Sequence, residues 1–209
     1  MCYPPPEAHL VLLLVAEMAY DNRHEGLTYG PGDARIGLSV RSTVLLDEEA
    51  PAELQGTADA TWGLEKDVYG VLVTKNGAAV VHGAGTVNVV CEASMDTEGV
   101  ATTKLIHKVL YVQAMERAMG VSTGLPTVVG TDNSANLLVS RGQGSAGRSK
   151  HSLRRWANIT KRLEEREIYL AKVDTENMPA DFLTKFLGKA KLALSLRRAT
   201  NSGKALPMA

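Results

Sequence analysis

Apolar and polar positions along this chain fall into blocks that can be assigned to elements one by one. Leu54–Gly63, Tyr69–Thr74 and Ala78–Cys91 are short, partly alternating runs bounded by turn residues, and they read as three strands. Asn76-Gly77 is a strong hairpin signal, so the second and third strands should pair antiparallel. From Ala93 to Met119 apolar residues recur at helical spacing (Leu105, Val109, Val112, Met115, Met119), with Gly120 placed to end the helix. Thr127–Thr131 is a fourth strand. A short helix from Ser134, a glycine- and serine-bearing loop over Gly142–Gly147 and a basic helix from about Lys150 to Glu165 follow it. Glu167–Val173 reads as the fifth strand, and a last helix should start near Pro179. The order predicts an α/β fold: a mixed five-stranded sheet, three strands antiparallel and then two parallel, with helices on both faces.

Upstream, Pro4-Pro5-Pro6 precedes an apolar helix over Glu7–Asp21 and a strand end at Gly26–Gly30. Residues 31–54 carry Gly, Pro and acidic residues, with one strand candidate at Ile36–Leu46, and read as a connection. The apolar run Leu10–Ala16 is too short to span a bilayer and lacks a signal peptide's basic start, so no membrane association is expected.

Composition narrows the function classes. The 209 residues suffice for one domain plus an appendage, and 44% hydrophobic with 22% charged residues is ordinary for a soluble globular protein. Lys and Arg number 23, as do Asp and Glu, which argues against an indiscriminate nucleic-acid coater. Basic residues nonetheless concentrate between Arg141 and Arg166. Cys2 and Cys91 form neither a disulfide framework nor a zinc pattern, and a reducing intracellular setting is expected.

Four acidic positions stand out, one of them with a rival neighbour. Asp59 falls inside a strand, where a charge is costly unless paired or liganded. Glu98 and Asp96 open the long helix, where two solvated acids favoured by the helix dipole are the plain alternative. Asp132 ends the fourth strand, where open α/β sheets place ligands but where most such Asp residues only cap the next helix. Asp181 opens the last helix. Three or four carboxylates converging from separate elements suit a pair of Mg²⁺ ions, which are hard and prefer oxygen ligands.

Several blocks carry a family resemblance. T-D-N-S-A-N (131–136), G-R-S-K-H (147–151) with R-R-W (154–156), and A-D-F-L-T-K (180–185) resemble the ribonuclease H domain of copia-type retrotransposon polyproteins. There the blocks read roughly C-D-N-x-S-A, R-T-K-H-I-D-I-R-Y and L-A-D-x-L-T-K. Asp59 in T-A-D-A-T-W is similar to that family's A-D-x-D-W, and Glu98 in S-M-D-T-E-G-V-A to its S-x-E-A-E-Y-x-A. The resemblance covers residues 55–187 well and 4–30 loosely, where P-x-E-A-H and G-L-x-Y-G look like the end of the reverse-transcriptase thumb. It implies a thumb or connection remnant over 1–30, a connecting segment over 31–54, a ribonuclease H-like domain over 55–187 and a tail over 188–209. On this view His9 is structural, and without the polymerase's Y-x-D-D site the chain should not copy DNA.

The function so implied is hydrolysis of the RNA strand of RNA–DNA hybrids during reverse transcription, with two Mg²⁺ ions and Mn²⁺ as a substitute. Asp59 would bridge both ions, Glu98 and Asp132 would serve the hydrolytic side, and Asp181 would complete the second ion. Asn133, Arg148, Lys150, His151 and Arg155, with Arg154, would contact the hybrid, whose phosphates fix register without reading sequence. For the basic helix the alternative is a solvated face balanced by Glu164, Glu165 and Glu167, and Trp156 is expected in the core. The implied partners are the hybrid and the reverse-transcriptase domain of the same polyprotein. The implied setting is the cytoplasm, within virus-like particles, and the nucleus.

The chain also departs from the family. Gly99 stands where an aromatic is usual, Val81–Val87 replaces S-W-x-S-K-K-Q, and R-x-S-T-S-G-Y is only loosely visible in 65–70. Many ribonucleases H carry a histidine shortly before the last acid; here Asp174-Thr175-Glu176-Asn177 occupies that loop, and copia-type sequences also lack the histidine. These departures leave open a catalytically inactive remnant that binds hybrid or duplex. A transposase or integrase core shares the acid count but fits the A-D-x-x-T-K ending less well.

Overall fold

The computed structural model describes residues 54–63, 66–121, 126–140 and 150–200. The expected helix over Glu7–Asp21, the strand end at Gly26–Gly30, the connecting segment before Leu54 and the Gly142–Gly147 loop lie outside the described residues.

The strands are β1 (Leu54–Thr61), β2 (Val68–Lys75), β3 (Ala78–Thr86), β4 (Thr127–Thr131) and β5 (Ile168–Lys172). They form one sheet in the order β3-β2-β1-β4-β5. β1–β2 and β2–β3 pair antiparallel, whereas β1–β4 and β4–β5 pair parallel. The β2–β3 hairpin turns on Asn76 and Gly77, both at positive φ (49° and 84°), the backbone that a two-residue turn of this kind demands. The third strand stops at Thr86, short of the expected Cys91. Val87 still donates its N–H to the Asp67 carbonyl at 2.8 Å, but Val89 and Val90 beyond it are exposed and out of the sheet.

The helices are α1 (Ser94–Ala118), α2 (Ser134–Ser140), α3 (Lys150–Glu164) and α4 (Lys189–Thr200). Two 3₁₀ turns, Thr175–Asn177 and Pro179–Leu183, follow β5. The last helix expected near Pro179 is therefore a single 3₁₀ turn, and the α-helix begins only at Lys189. Thr184 leaves the helical region (φ −126°), which ends the turn after Leu183.

One face of the sheet carries the main core. Ala58, Val71, Val73 and Val129 pack there with Leu105, Ile106, Val109 and Val112 of α1 and Trp156 and Ile159 of α3. Gly56 lets α1 come close, since a Cβ there would lie 2.9 Å from Leu105 Cδ1. Met115 and Met119, expected on the buried stripe, are instead exposed. The stripe runs through Val112 to Glu116, which is buried because it pairs with Lys75 of β2 at 2.9 Å. The first two turns of α1, from Asp96 to Thr102, are buried on every side. Gly99 makes this possible: a Cβ there would meet the Trp156 ring at 3.0 Å, so the absent aromatic is the space that Trp156 fills. Trp156 is in the core, as expected.

Candidate metal centre

Strand pairing fixes two of the carboxylates. Thr57 of β1 lies beside Gly130 of β4 in parallel register, and two further residues on each strand bring Asp59 alongside Asp132. Asp59 points away from the Gly56–Ala58 face, and it is buried, as is Glu98 from the second turn of α1. One carboxylate oxygen from each of Asp59, Glu98 and Asp132 lies within 4.8 Å of the others, close enough for the three to share a metal ion.

The backbone around Asp132 is held from two sides. Val173 N–H donates to the Thr131 carbonyl at 2.9 Å, and the Lys172 ammonium donates to the Asp132 carbonyl. The cap of α2 comes from Asn133, whose Oδ1 accepts the N–H groups of Ala135 (2.9 Å) and Asn136 (3.3 Å). Asn133 thus takes the capping role that an Asp at the end of β4 invites, and the Asp132 carboxylate is not spent on it.

Asp96 and Glu98 divide just as clearly. Asp96 accepts the Ser152 hydroxyl at 2.6 Å and the Glu92 N–H at 3.3 Å, so it ties the start of α1 to α3. Glu98 faces the sheet acids. Burial first, then the charges of Asp132 and Asp59, push its carboxyl up to about 8, against the ordinary 4.5. One of its oxygens, Oε2, is buried with no hydrogen-bond partner. A buried acceptor without a donor is costly, and a cation or a proton removes that cost. The donor set therefore fits a hard divalent ion on three grounds: oxygen ligands, convergence from three elements and an orphaned buried oxygen.

Asp181, the fourth expected ligand, lies outside this group. It is fully buried and paired with Lys185 (Oδ1, 3.0 Å) and Lys191 (Oδ2, 2.6 Å). Lys185 also reaches Asp59 Oδ1 at 2.9 Å, so one ammonium bridges the β1 acid and the acid of the 3₁₀ turn. Thr184 donates its hydroxyl to Asp59 Oδ2, and the Thr61 hydroxyl donates to the Thr184 carbonyl at 3.3 Å. Burial raises the Asp59 carboxyl above its usual range, against the opposing bonds from Thr184 and Lys185. Partial burial opposes the charge on Lys185, but Asp59 and Asp181 more than offset it and hold the ammonium above its ordinary value.

Thr184 and Lys185 were visible in the A-D-F-L-T-K block, yet their contact with Asp59 was not foreseen. The i,i+4 spacing of Asp181 and Lys185 is the one local signal for it. Gly70, opposite Asp59 on β2, makes the approach possible, because a Cβ there would lie 2.6 Å from Leu183 Cβ and 2.9 Å from Thr184. Gly70→Ala is therefore expected to push the 183–185 segment off the sheet, at a cost of about 1–3 kcal/mol. Chemical denaturation of the two proteins measures this, and a loss below a few tenths would contradict the packing.

The residues expected to touch nucleic acid are less uniform. Arg148 lies outside the described residues, and of Lys150 and His151 only the helical backbone is described. Arg154 is exposed. Arg155 is half-buried and donates to the Asp96 carbonyl at 3.3 Å, beside Gly99, which makes it a brace between α3 and α1. Asn133 is half-buried and engaged in the α2 cap. Among the described residues no helix is long and apolar enough to cross a membrane.

The sheet order, the strand directions and the helices around them make the fold ribonuclease H-like. No family model and no curated protein matches the sequence. Solved structures that resemble the chain include ribonuclease H proteins and a viral protease-reverse transcriptase. Ribonuclease H1 of the archaeon Halobacterium salinarum is 13% identical, with 62% of this chain and 92% of that chain covered and a TM-score of 0.49. LC11-RNase H1, solved in complex with an RNA/DNA hybrid, is 15% identical over 62% and 92%, with a TM-score of 0.45. The foamy viral protease-reverse transcriptase, in complex with dsDNA, is 16% identical over 62% of this chain and 24% of that one, with a TM-score of 0.34.

Proposed function

We propose that this chain is a metal-dependent endonuclease that hydrolyses the RNA strand of RNA–DNA hybrids. The observation that carries the reading is the convergence of Asp59, Glu98 and Asp132 at the end of a ribonuclease H-like sheet. These three would hold one Mg²⁺ ion, with Mn²⁺ as a substitute, and Asp59 with Asp181 would hold a second. Such ions activate a water and stabilise charge on the leaving oxygen. The chain's own part is to place the ligands: Thr184 orients Asp59, Lys172 fixes the backbone of Asp132, and burial in α1 fixes Glu98. Contacts to the hybrid would come from the α3 end of the molecule, through Arg148, Lys150, His151 and Arg154, with discrimination resting on hybrid shape and the 2′-hydroxyl.

The sequence blocks support a wider setting. The chain is the ribonuclease H portion of a copia-type polyprotein, with residues 55–187 as the domain and 1–30 as the end of the polymerase thumb. It works beside the reverse-transcriptase domain in cytoplasmic virus-like particles. The engagement of Asp181 by two lysines favours one alternative, an inactive remnant that binds hybrid without cutting it.

Incubation of the folded chain with a labelled RNA–DNA hybrid and Mg²⁺ separates the two. Cleavage of the RNA strand is expected, stopped by a chelator, with RNA–RNA and DNA–DNA duplexes left intact. No cleavage in either Mg²⁺ or Mn²⁺ would overturn the nuclease, and salt-sensitive hybrid binding would then identify the remnant.

A further inference from the structure

Lys185 stands where a cation is wanted. Its ammonium lies 2.9 Å from Asp59 Oδ1 and 3.0 Å from Asp181 Oδ1, between the two carboxylates that would share a second ion. Lys191 takes the remaining oxygen of Asp181 at 2.6 Å. Asp59 and Asp181 are each about 1% exposed or less, whereas the two lysine side chains are 35% and 28% exposed. The carboxylates are therefore fixed, and the ammoniums sit on stems that can swing outward. On the other side of Asp59, among the described residues no lysine or arginine bridges Glu98 or Asp132 to Asp59, and Glu98 keeps a bare oxygen.

Charge gives the same division. Counted as ionised ligands, the four carboxylates against two ammoniums leave a deficit that one divalent ion balances. A second divalent ion added beside both ammoniums would leave an excess of positive charge, which withdrawal of the Lys185 ammonium halves. Two cations held on one pair of carboxylates also repel strongly where water is excluded.

Resting on the metal-dependent reading above, we infer that Lys185 is a built-in occupant of the second cation position. The protein alone takes one divalent ion, at Asp59, Glu98 and Asp132. A second ion binds to Asp59 and Asp181 only by displacing the Lys185 ammonium. Lys185 is thus a positioning residue that holds Asp59 and Asp181 in place and sets the order in which ions enter.

Counting free Mn²⁺ by electron paramagnetic resonance during titration of the full chain tests this without reference to cleavage. Wild type is expected to take one ion, and Lys185→Met a second at least tenfold more tightly than wild type does. Lys185→Arg, which keeps the cation, should stay at one. Equal second-ion affinity, within twofold, in wild type and Lys185→Met would overturn the inference. So would a wild type that takes two ions of similar affinity.

If Lys185→Met does not fold, amine acylation of wild type read by mass spectrometry gives the answer. Labelling of Lys185 should stay slow while the first ion saturates, and a rise in step with the first ion would overturn the inference. A wild type that binds no Mn²⁺ defeats the metal-dependent reading itself. One bound ion that is lost in Glu98→Gln, with no effect of Lys185→Met, defeats only the role given to Lys185.

Discussion

Asp132→Asn is expected to cut hybrid cleavage by about three orders of magnitude, about 4 kcal/mol of transition-state stabilisation, while leaving the fold intact. The substitution removes one negative ligand from a three-carboxylate set and replaces it with a neutral group of the same shape. Its effect on stability should be small for two structural reasons. Asn133, not Asp132, supplies the cap of α2, and the Asp132 carbonyl that accepts Lys172 is backbone. Removing this charge also relieves Glu98 of one of the two carboxylates that disfavour its ionisation. Single-turnover cleavage at saturating hybrid, beside thermal denaturation, measures both halves. Activity within tenfold of wild type would show that the three-acid set is not the reactive centre. A collapse in melting temperature would show that Asp132 is structural after all.

The parts of this molecule that were legible in the sequence are those with local periodicity or turn chemistry. β4 occupies Thr127–Thr131 as read, and the hairpin turns on Asn76-Gly77, because only a narrow set of residues accepts that backbone. The three acids that converge were legible because each sits at an element position where a charge needs a reason. Long-range pairing was not legible. Thr184 and Lys185 meet Asp59 across more than a hundred residues of chain, and the only local hint is the i,i+4 spacing of Asp181 and Lys185. The same holds for Gly99, which stands where an aromatic is usual and is the seat of Trp156. Helical spacing alone also placed Met115 and Met119 inside, where the Lys75–Glu116 pair in fact sets the buried edge. Asp181 shows the limit most sharply: its position in the motif was plain, but its partners were not.

Glu98→Gln should make the metal-free protein more stable than wild type above about pH 8, by several kcal/mol at most. The folded chain pushes the Glu98 carboxyl up to about 8 from its ordinary 4.5, so it holds that proton more tightly than the unfolded chain does. The stability tied to this group is full below about 4.5, declines as pH climbs, and is gone once pH passes about 8. At about 1.4 kcal/mol per pH unit the interval is wide enough to matter to a domain of ordinary stability. Glutamine cannot ionise, so the variant escapes the decline and its stability should stay flat over the same range. A divalent ion acts in the opposite sense, because it stabilises the ionised form and must expel the proton to bind. The rise in melting temperature on adding Mg²⁺ should therefore grow between pH 6 and pH 8.5 in wild type and be nearly absent in Glu98→Gln. Denaturant unfolding across that range, with and without Mg²⁺, reads both slopes. Parallel pH profiles for the two proteins would show that Glu98 is not held as a neutral acid beside Asp59 and Asp132, and the case for it as a metal ligand would lose its electrostatic basis.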